Sequence, residues 1–377
     1  MDLFSFIIMK NFSYWEIKEW FSNVDFTIIG SGIVGLNCAI RLKEKFPTAK
    51  VLVLEKGMLP QGASTKNAGF ACFGSLSELI QDLASHSEQE VLDLVKKRWN
   101  GLQLLRKNLG DQNIGFELNK GYELFINNDL YESSISKMNQ VNKLLHPIFK
   151  EDTFKKSDNI FQFKNIKEQY VVNQFEGQID TGKMMKALLF KAQKLEIQIV
   201  NNFTVDSFED YSNKVTVHAN DFSFTTDKLL IATNGFSKKL LNENVTPARA
   251  QVLITKPIKN LHIKGTFHFD EGYYYFRNID NRILFGGGRN LDFKGEETTK
   301  FETTDRIQNK LKELLETTIL PNASFEVAHS WSGIMGVGNQ KKAIVKNISD
   351  NVFCGVRLGG MGVAIGSFVG KELADLL

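Results

Sequence analysis

The sequence predicts an α/β protein of two interleaved domains, and three observations carry that expectation. An apolar strand at Val24 to Ile29 runs into Gly30-Ser31-Gly32-Ile33-Val34-Gly35, then a helix, then a second apolar strand at Lys50 to Leu54, the order of a parallel βαβ unit. From Phe116 to Asn127 and again from Tyr273 to Gly287 the pattern changes to aromatic, β-favouring segments with turn residues between them, which predicts antiparallel strands of a different domain. Elements of the first kind return at Lys183 to Ala232 and at Asn351 to Leu377, so each domain interrupts the other in sequence.

Taken in order, Phe12 to Phe21 sets Trp15, Ile17 and Trp20 among charges, a short amphipathic helix that either packs on the body or lies on a membrane surface. The preceding MDLFSFIIM is far short of the roughly 20 residues of a spanning helix and lacks a basic leader, so no cleaved signal is expected, and Met9 offers an alternative start. A helix from Gly35 to Phe46 ends before Pro47, Gly62 to Phe73 reads as a loop, and Ser87 to Leu109 as a long helix. Lys183 to Lys194 reads as a helix, with strands at Ile197 to Val200, Lys214 to His218 and Lys228 to Ala232; Asn351 to Leu377 reads as strand, glycine turn and helix. The expected domains are 24–85, 166–247 and 326–377 for the parallel one, 86–165 and 248–325 for the antiparallel one, and 1–23 as an N-terminal extension.

Composition narrows the function. With 42% hydrophobic and 24% charged residues, the 377-residue chain can bury a large core and a cofactor. A formal charge of +3 from 46 basic and 43 acidic residues is too small and too mixed for a nucleic-acid footprint. Cys38, Cys72 and Cys354 are odd in number and far apart, with no Cys-x-x-Cys or Cys/His spacing, so neither disulfides nor a structural metal is expected. A cytoplasmic protein is expected, with attachment to the inner face of a membrane through the N-terminal segment as the alternative.

The chemistry begins at the glycine turn. Gly30 permits the tight turn, Gly32 lets backbone approach a pyrophosphate, and Gly35 lets helix pack on strand. Ile33 and Val34 lie within this turn, and the N-terminus of the helix beyond it offers free N–H groups and a partial positive charge to phosphates. Glu55, followed by Lys56, closes the second strand twenty residues past Gly35, where a carboxylate can accept from both ribose hydroxyls. This is a Rossmann-like unit, which by itself allows either NAD or FAD.

Further segments resemble the glycine oxidase and D-amino-acid oxidase-like family of FAD-dependent oxidoreductases. Gly62-Ala63-Ser64-Thr65-Lys66-Asn67-Ala68-Gly69-Phe70 is similar to that family's segment from the pyrophosphate towards the flavin, and Gly177-Gln178-Ile179-Asp180 to its entry into the middle of the FAD domain. Thr204-Val205 matches the backbone beside the adenine, Leu229 to Phe236 the next strand and its Thr233-Asn234-Gly235 turn, and Ala248 to Leu253 the strand after that. Trp331-Ser332-Gly333-Ile334-Met335-Gly336 and Arg357-Leu358-Gly359-Gly360-Met361-Gly362-Val363 resemble the two segments that meet the isoalloxazine. A glycine turn opening a helix near Val363 would aim N–H groups at the flavin edge that becomes negative on reduction. The resemblance implies a Rossmann-like FAD-binding domain of the GR2/DAO type and an antiparallel-sheet substrate domain; some relatives attach flavin through a cysteine beyond the W-x-G segment, and Gly333 to Lys342 contains none, so non-covalent FAD is expected.

The chain departs from its relatives where substrate is held. D-amino-acid oxidases carry a carboxylate-clamping arginine shortly after the W-x-G segment, and here Ile334-Met335-Gly336 stands in that place. Arg277 and Arg357 are the candidate replacements; a surface and an interdomain salt bridge are their structural alternatives. On an extended strand Tyr273 and Tyr275 share a side with Arg277, which makes that side the candidate active face, with Trp331 and His329 just before Gly333. Cys72 is either near the flavin or a small buried residue. The expected activity is oxidation of a small-molecule amine or amino acid by hydride transfer to the flavin N5, giving an imine that hydrolyses. The rivals are oxidation of a 2-hydroxy acid or polyol phosphate, and a non-catalytic flavin-binding role. The electron acceptor is left open among oxygen, a quinone and a protein.

Overall fold

The structure is a computed structural model that describes residues 12–219 and 222–377, so the reading of Met1 to Met9 lies outside the described residues. The chain divides into two compact units, the first made of residues 1–65, 182–247 and 335–377, the second of residues 66–181 and 248–334. No helix among the described residues is long and apolar enough to cross a membrane.

In the first unit Val24–Ile29 lies at the middle of the sheet. It pairs in parallel with Val51–Leu54 on one side and Phe222–Ile231 on the other; Gln198–Val200, Val352–Val356 and Ile344–Asn347 extend the order outwards, and Val215–Ala219 pairs with Phe222–Ile231 and with Ser207–Asp210. A strand covered on both faces is apolar nearly throughout, which is why this one shows a run rather than an alternation. The helix Ile33–Lys45 opens inside the glycine turn, two residues before its expected start. Against it lies Gly362–Asp375, admitted by missing side chains: a Cβ at Gly366 would stand 2.6 Å from Ile33 Cγ2, and one at Gly370 2.5 Å from the Val34 carbonyl oxygen. The N-terminal segment is helical over Tyr14–Glu16 and Ile17–Phe21, yet Phe21 is its anchor, packed among Phe12, Phe203, Phe222 and Phe224. Trp15 and Trp20 are 66% and 41% exposed and do not form the packing face.

The second unit is built on an eight-stranded sheet ordered Val327–Val337, Thr246–Thr255, Arg282–Gly287, Tyr274–Ile279, Thr266–Phe269, Gly121–Leu124, Gln169–Asn173 and Phe154–Asp158. It departs from the expected antiparallel pattern where Thr266–Phe269 runs parallel to Gly121–Leu124. Alternation gives the sheet two different faces. Tyr122, Phe267, Phe269, Tyr274, Phe276 and Phe285 project to one of them and pack with Ile307, Leu311 and Leu315 from the helical stretch Asp305–Leu314 and Leu315–Ile319. On the same strands the opposite face carries Glu123, Thr266, His268, Tyr275 and Arg277.

Two stretches differ from their expectation. The segment 62–73 is not only loop: it forms a helical turn, Ala63–Lys66, and a two-residue strand, Phe70–Ala71, paired with Gly177–Gln178, because a buried backbone must find partners for its N–H and C=O groups. Asn128–Phe149 is a helix that the sequence reading leaves unassigned. Its buried stripe includes the polar Ser134 and Asn142, and Pro147 sits in its last turn, so the apolar period is broken on paper. Asn142 is buried because its amide answers both the N–H and the C=O of Phe154, at 2.9 Å each.

Gly370→Val is expected to cost about 1–3 kcal/mol, since overpacking must push two helices apart. The measurement is urea unfolding of the purified protein; an unchanged midpoint would show that the close approach at Val34 is not required.

Candidate active site

In the first unit the glycine turn and the 62–65 segment converge. Gly30 has φ +105°, and a Cβ on Gly35 would lie 1.9 Å from the Gly30 carbonyl oxygen, so neither position tolerates a side chain. Gly32 caps the helix without a side chain, and Ser64 Oγ accepts from the Ile33 N–H at 2.9 Å, which brings the second motif onto the helix N-terminus. Thr65 is turned to its own loop and donates to the Pro60 carbonyl at 2.6 Å. Nothing lies within 4 Å of where a Gly62 side chain would be, so the backbone there is open to approach. Glu55, 5% exposed, accepts from the Ser31 N–H at 3.1 Å, the Ser31 hydroxyl at 2.6 Å and the Gly57 N–H at 3.0 Å. Lys56 lays its ammonium 3.4 Å from the centre of the Phe236 ring, and burial lowers its pKa against the pull of Glu55. Val205 is 5% exposed, within the apolar core of this unit.

The C-terminal glycine segment follows from backbone conformation. After Val352–Val356, Arg357, Gly359 and Gly360 take φ +64°, +57° and +83°, turning the chain into the helix Gly362–Asp375, whose cap residue Met361 gives no side-chain cap. Val363 is buried in its first turn. Asn234, itself at φ +43°, holds this turn through one oxygen, which accepts from the N–H groups of Arg357 at 3.1 Å and Leu358 at 3.2 Å. The Gly359 N–H donates to the Gly336 carbonyl at 3.0 Å. The neighbouring Thr233 keeps a buried hydroxyl oxygen with no hydrogen-bond partner among the described residues, and Gly235 is buried in the 3₁₀ turn beyond it. Around Gly359 and Gly360 the space is open, the nearest atom to a side chain at Gly360 being Met335 Sδ at 3.4 Å. A side-chain-free helix start at each of two glycine turns, with an open Gly62 and an orphaned Thr233 hydroxyl, fits a dinucleotide. Arg357 is occupied otherwise: its guanidinium donates to the carbonyls of Lys342 at 3.0 Å and Asn244 at 3.3 Å, so it serves as a backbone tie.

In the second unit the polar sheet face gathers several of the remaining candidates. Tyr275 and Arg277 lie opposite His268 and Thr266 on the adjacent strand. Ala68, Phe70, Tyr275 and Trp331 share one apolar cluster, with Phe70 edge-on to Tyr275 at 5.6 Å between ring centres. Trp331 donates its indole N–H to the Lys66 carbonyl at 3.0 Å and stacks on His329 at 5.6 Å. Asn67 Oδ1 accepts from the Gly69 N–H at 2.9 Å and the Thr181 hydroxyl at 3.0 Å, fixing the end of its motif. Gly333 is buried in the strand Val327–Val337. Tyr273 does not join this face: the strand begins at Tyr274, and Tyr273 lies in the preceding turn, packed on the aromatic core and against Phe293. The alternation that would place it beside Tyr275 starts one residue too late.

Arg277 is the electrostatic centre of the face. It is 2% exposed, its Nε has no hydrogen-bond partner, and no carboxylate closes an ion pair with it among the described residues. Burial draws its pKa down to about 10, with Asp180, Glu117 and Asp280 opposing from a distance, so it stays charged at neutral pH. Gly69, at φ +76°, is what lets the guanidinium lie against the 67–70 backbone, because a Cβ there would come within 2.8 Å of Nη2. Burial pushes the Tyr275 phenol up to about 12, which keeps its proton in place. Sequence reasoning missed Glu176 and His268, an ion pair at 2.5 Å on this face. The two residues lie 92 positions apart, so no local signal could have joined them.

The family model described as FAD-dependent oxidoreductase, DAO, matches residues 25–376. A probable oxidoreductase, OrdL, of Haemophilus influenzae is 21% identical over 379 residues, covering 94% of this chain and 83% of that protein. Among solved structures, glycine oxidase from Bacillus cereus superposes with a TM-score of 0.72 at 20% identity, covering 94% of both chains. Iminodiacetate oxidase from Chelativorans superposes with a TM-score of 0.75 at 16% identity, covering 93% of this chain and 94% of the other. With a glycine-turn βαβ unit, a second glycine turn at Gly359 and Gly360 and a match over nearly all its length, the chain belongs to the DAO family of FAD-dependent oxidoreductases.

Proposed function

We propose that the protein oxidises a small amino acid, holding the substrate carboxylate on Arg277. The observation that carries this reading is the buried, charged guanidinium whose Nε lacks a partner among the described residues. An unpaired buried cation costs stability, and a carboxylate ligand removes that cost while fixing its own orientation through a bidentate pair. Similarity to solved structures named glycine oxidase and iminodiacetate oxidase supports a nitrogen-bearing carboxylate as the substrate class.

FAD, held non-covalently, would accept a hydride from the carbon bearing the neutral nitrogen, leaving an imine that water hydrolyses. The chain's own residues orient and exclude water. Arg277 sets the carboxylate, Tyr275 supplies a protonated hydroxyl and a ring face, and Phe70 and Trp331 furnish apolar wall. The helix start at Gly362 is the proposed source of positive potential for the reduced flavin. A 2-hydroxy acid would satisfy Arg277 equally, so the donor nitrogen is what a direct assay must establish.

Under anaerobic conditions, small amino acids are expected to bleach the visible absorbance of the bound flavin. Their amides, simple amines without a carboxylate, and 2-hydroxy acids should leave it unchanged. Bleaching by hydroxy acids alone, or by amines irrespective of a carboxylate, would replace this reading.

Arg277→Met should lower kcat/KM for the amino acid by about 100-fold or more, as expected when one partner of a buried charged pair is lost. The same variant should keep its FAD and unfold at an equal or higher urea concentration, because an unpaired buried charge has been removed. A clear loss of stability would mark Arg277 as a structural residue instead.

A further inference from the structure

On the polar face of the second unit, beyond Tyr275, three groups of different chemistry meet. Cys72, Glu176 and His268 are 6%, 1% and 7% exposed, and one potential donor atom from each lies within 4.8 Å of the other two. They come from three separate places in the sequence, and register explains how they meet. Phe70 pairs with Gln178 and Ala71 with Gly177 in antiparallel order, so the next step of that ladder sets Cys72 opposite Glu176. His268 is the third corner, from the strand Thr266–Phe269.

We propose that Cys72, Glu176 and His268 form a binding site for a single divalent ion of the zinc class. A thiolate, an imidazole and a carboxylate are the donor types that zinc accepts, whereas magnesium and calcium take oxygen ligands. Around one zinc ion at about 2.0–2.3 Å, donor atoms stand about 3.3–3.8 Å apart, so the observed span needs small side-chain adjustments only. The short Glu176 to His268 contact of 2.5 Å is the one that must open. Two anionic donors balance the ion's charge, which suits a site with so little water. An outer contact is already in place, since the Thr266 hydroxyl donates to Glu176 Oε1 at 2.8 Å and would orient it as a ligand. Gly121 leaves room for that carboxylate, because a Cβ there would run into it.

The role that follows is positional. The ladder between Phe70–Ala71 and Gly177–Gln178 is only two residues long, and an ion at its end would staple both segments to the sheet. Phe70, edge-on to both His268 at 5.1 Å and Tyr275 at 5.6 Å, would be held in place by that staple. The substrate assignment can fail without touching this proposal, because metal content is read without turnover.

The test is elemental analysis of the untagged holoprotein purified without chelator from zinc-supplemented medium, followed by cobalt titration of chelator-treated protein. About one zinc per chain is expected, with a thiolate-to-cobalt absorption and cobalt bands to the red of the flavin on titration. Cys72→Ser and His268→Gln should each bring zinc below a tenth of an equivalent while FAD content is retained. Metal-free holoprotein whose wild-type form shows no thiolate band with cobalt would overturn the proposal and leave Glu176 and His268 as a metal-free ion pair. So would zinc that stays unchanged in both variants. The wild-type titration decides the matter even if a variant fails to fold.

Discussion

The approach of Gly35 to the Gly30 carbonyl is the contact on which the first unit depends. At 1.9 Å for a hypothetical Cβ, the distance excludes every residue but glycine, and it sets how near the first helix lies to the central strand. From that spacing follow the position of the helix N-terminus, the reach of Ser64 to the Ile33 N–H, and the seat of Glu55 beside Ser31. The same economy recurs where Gly366 and Gly370 admit the second helix onto the first. Packing alone forbids side chains at Gly35, Gly366 and Gly370.

The second unit is organised by a division of labour between the faces of one sheet. Aromatic rings fill one side and supply the apolar burial that stabilises the unit. That leaves the opposite side able to carry charges at a cost. Glu123 shows how such a charge is accommodated: burial raises its pKa, while the hydroxyls of Ser75 and Ser77 donate to it. Arg277 has no such provision at its Nε among the described residues.

How much was legible in the sequence depended on whether a feature was local. The glycine turn and the Gly359 to Gly362 turn were readable because each is written in consecutive, glycine-rich residues. The helix Asn128–Phe149 was hidden by Asn142 and Pro147, whose acceptance depends on Phe154 and on a position in the final turn. Tyr273 was misplaced by one residue at a strand boundary, which was enough to send it to the aromatic core. Arg357 has the right residue type near a flavin-facing motif, but its donors are spent on the carbonyls of Lys342 and Asn244, and no pattern in a single sequence announces that. Cys72, Glu176 and His268 meet only through strand register, the kind of information that exists after folding.

Asn234 ties residues made early to residues made much later. Its single oxygen receives two N–H groups from positions 123 and 124 residues further along the chain, and the strand that leads to them, Val352–Val356, pairs with Phe222–Ile231. During synthesis the glycine turn at Gly30 can therefore form long before its counterpart at Gly359 exists. A growing chain would present one glycine turn with the other still unmade. The Asn234 tie is thus placed late in biogenesis, after the ribosome has delivered the segment that carries Arg357 and Leu358.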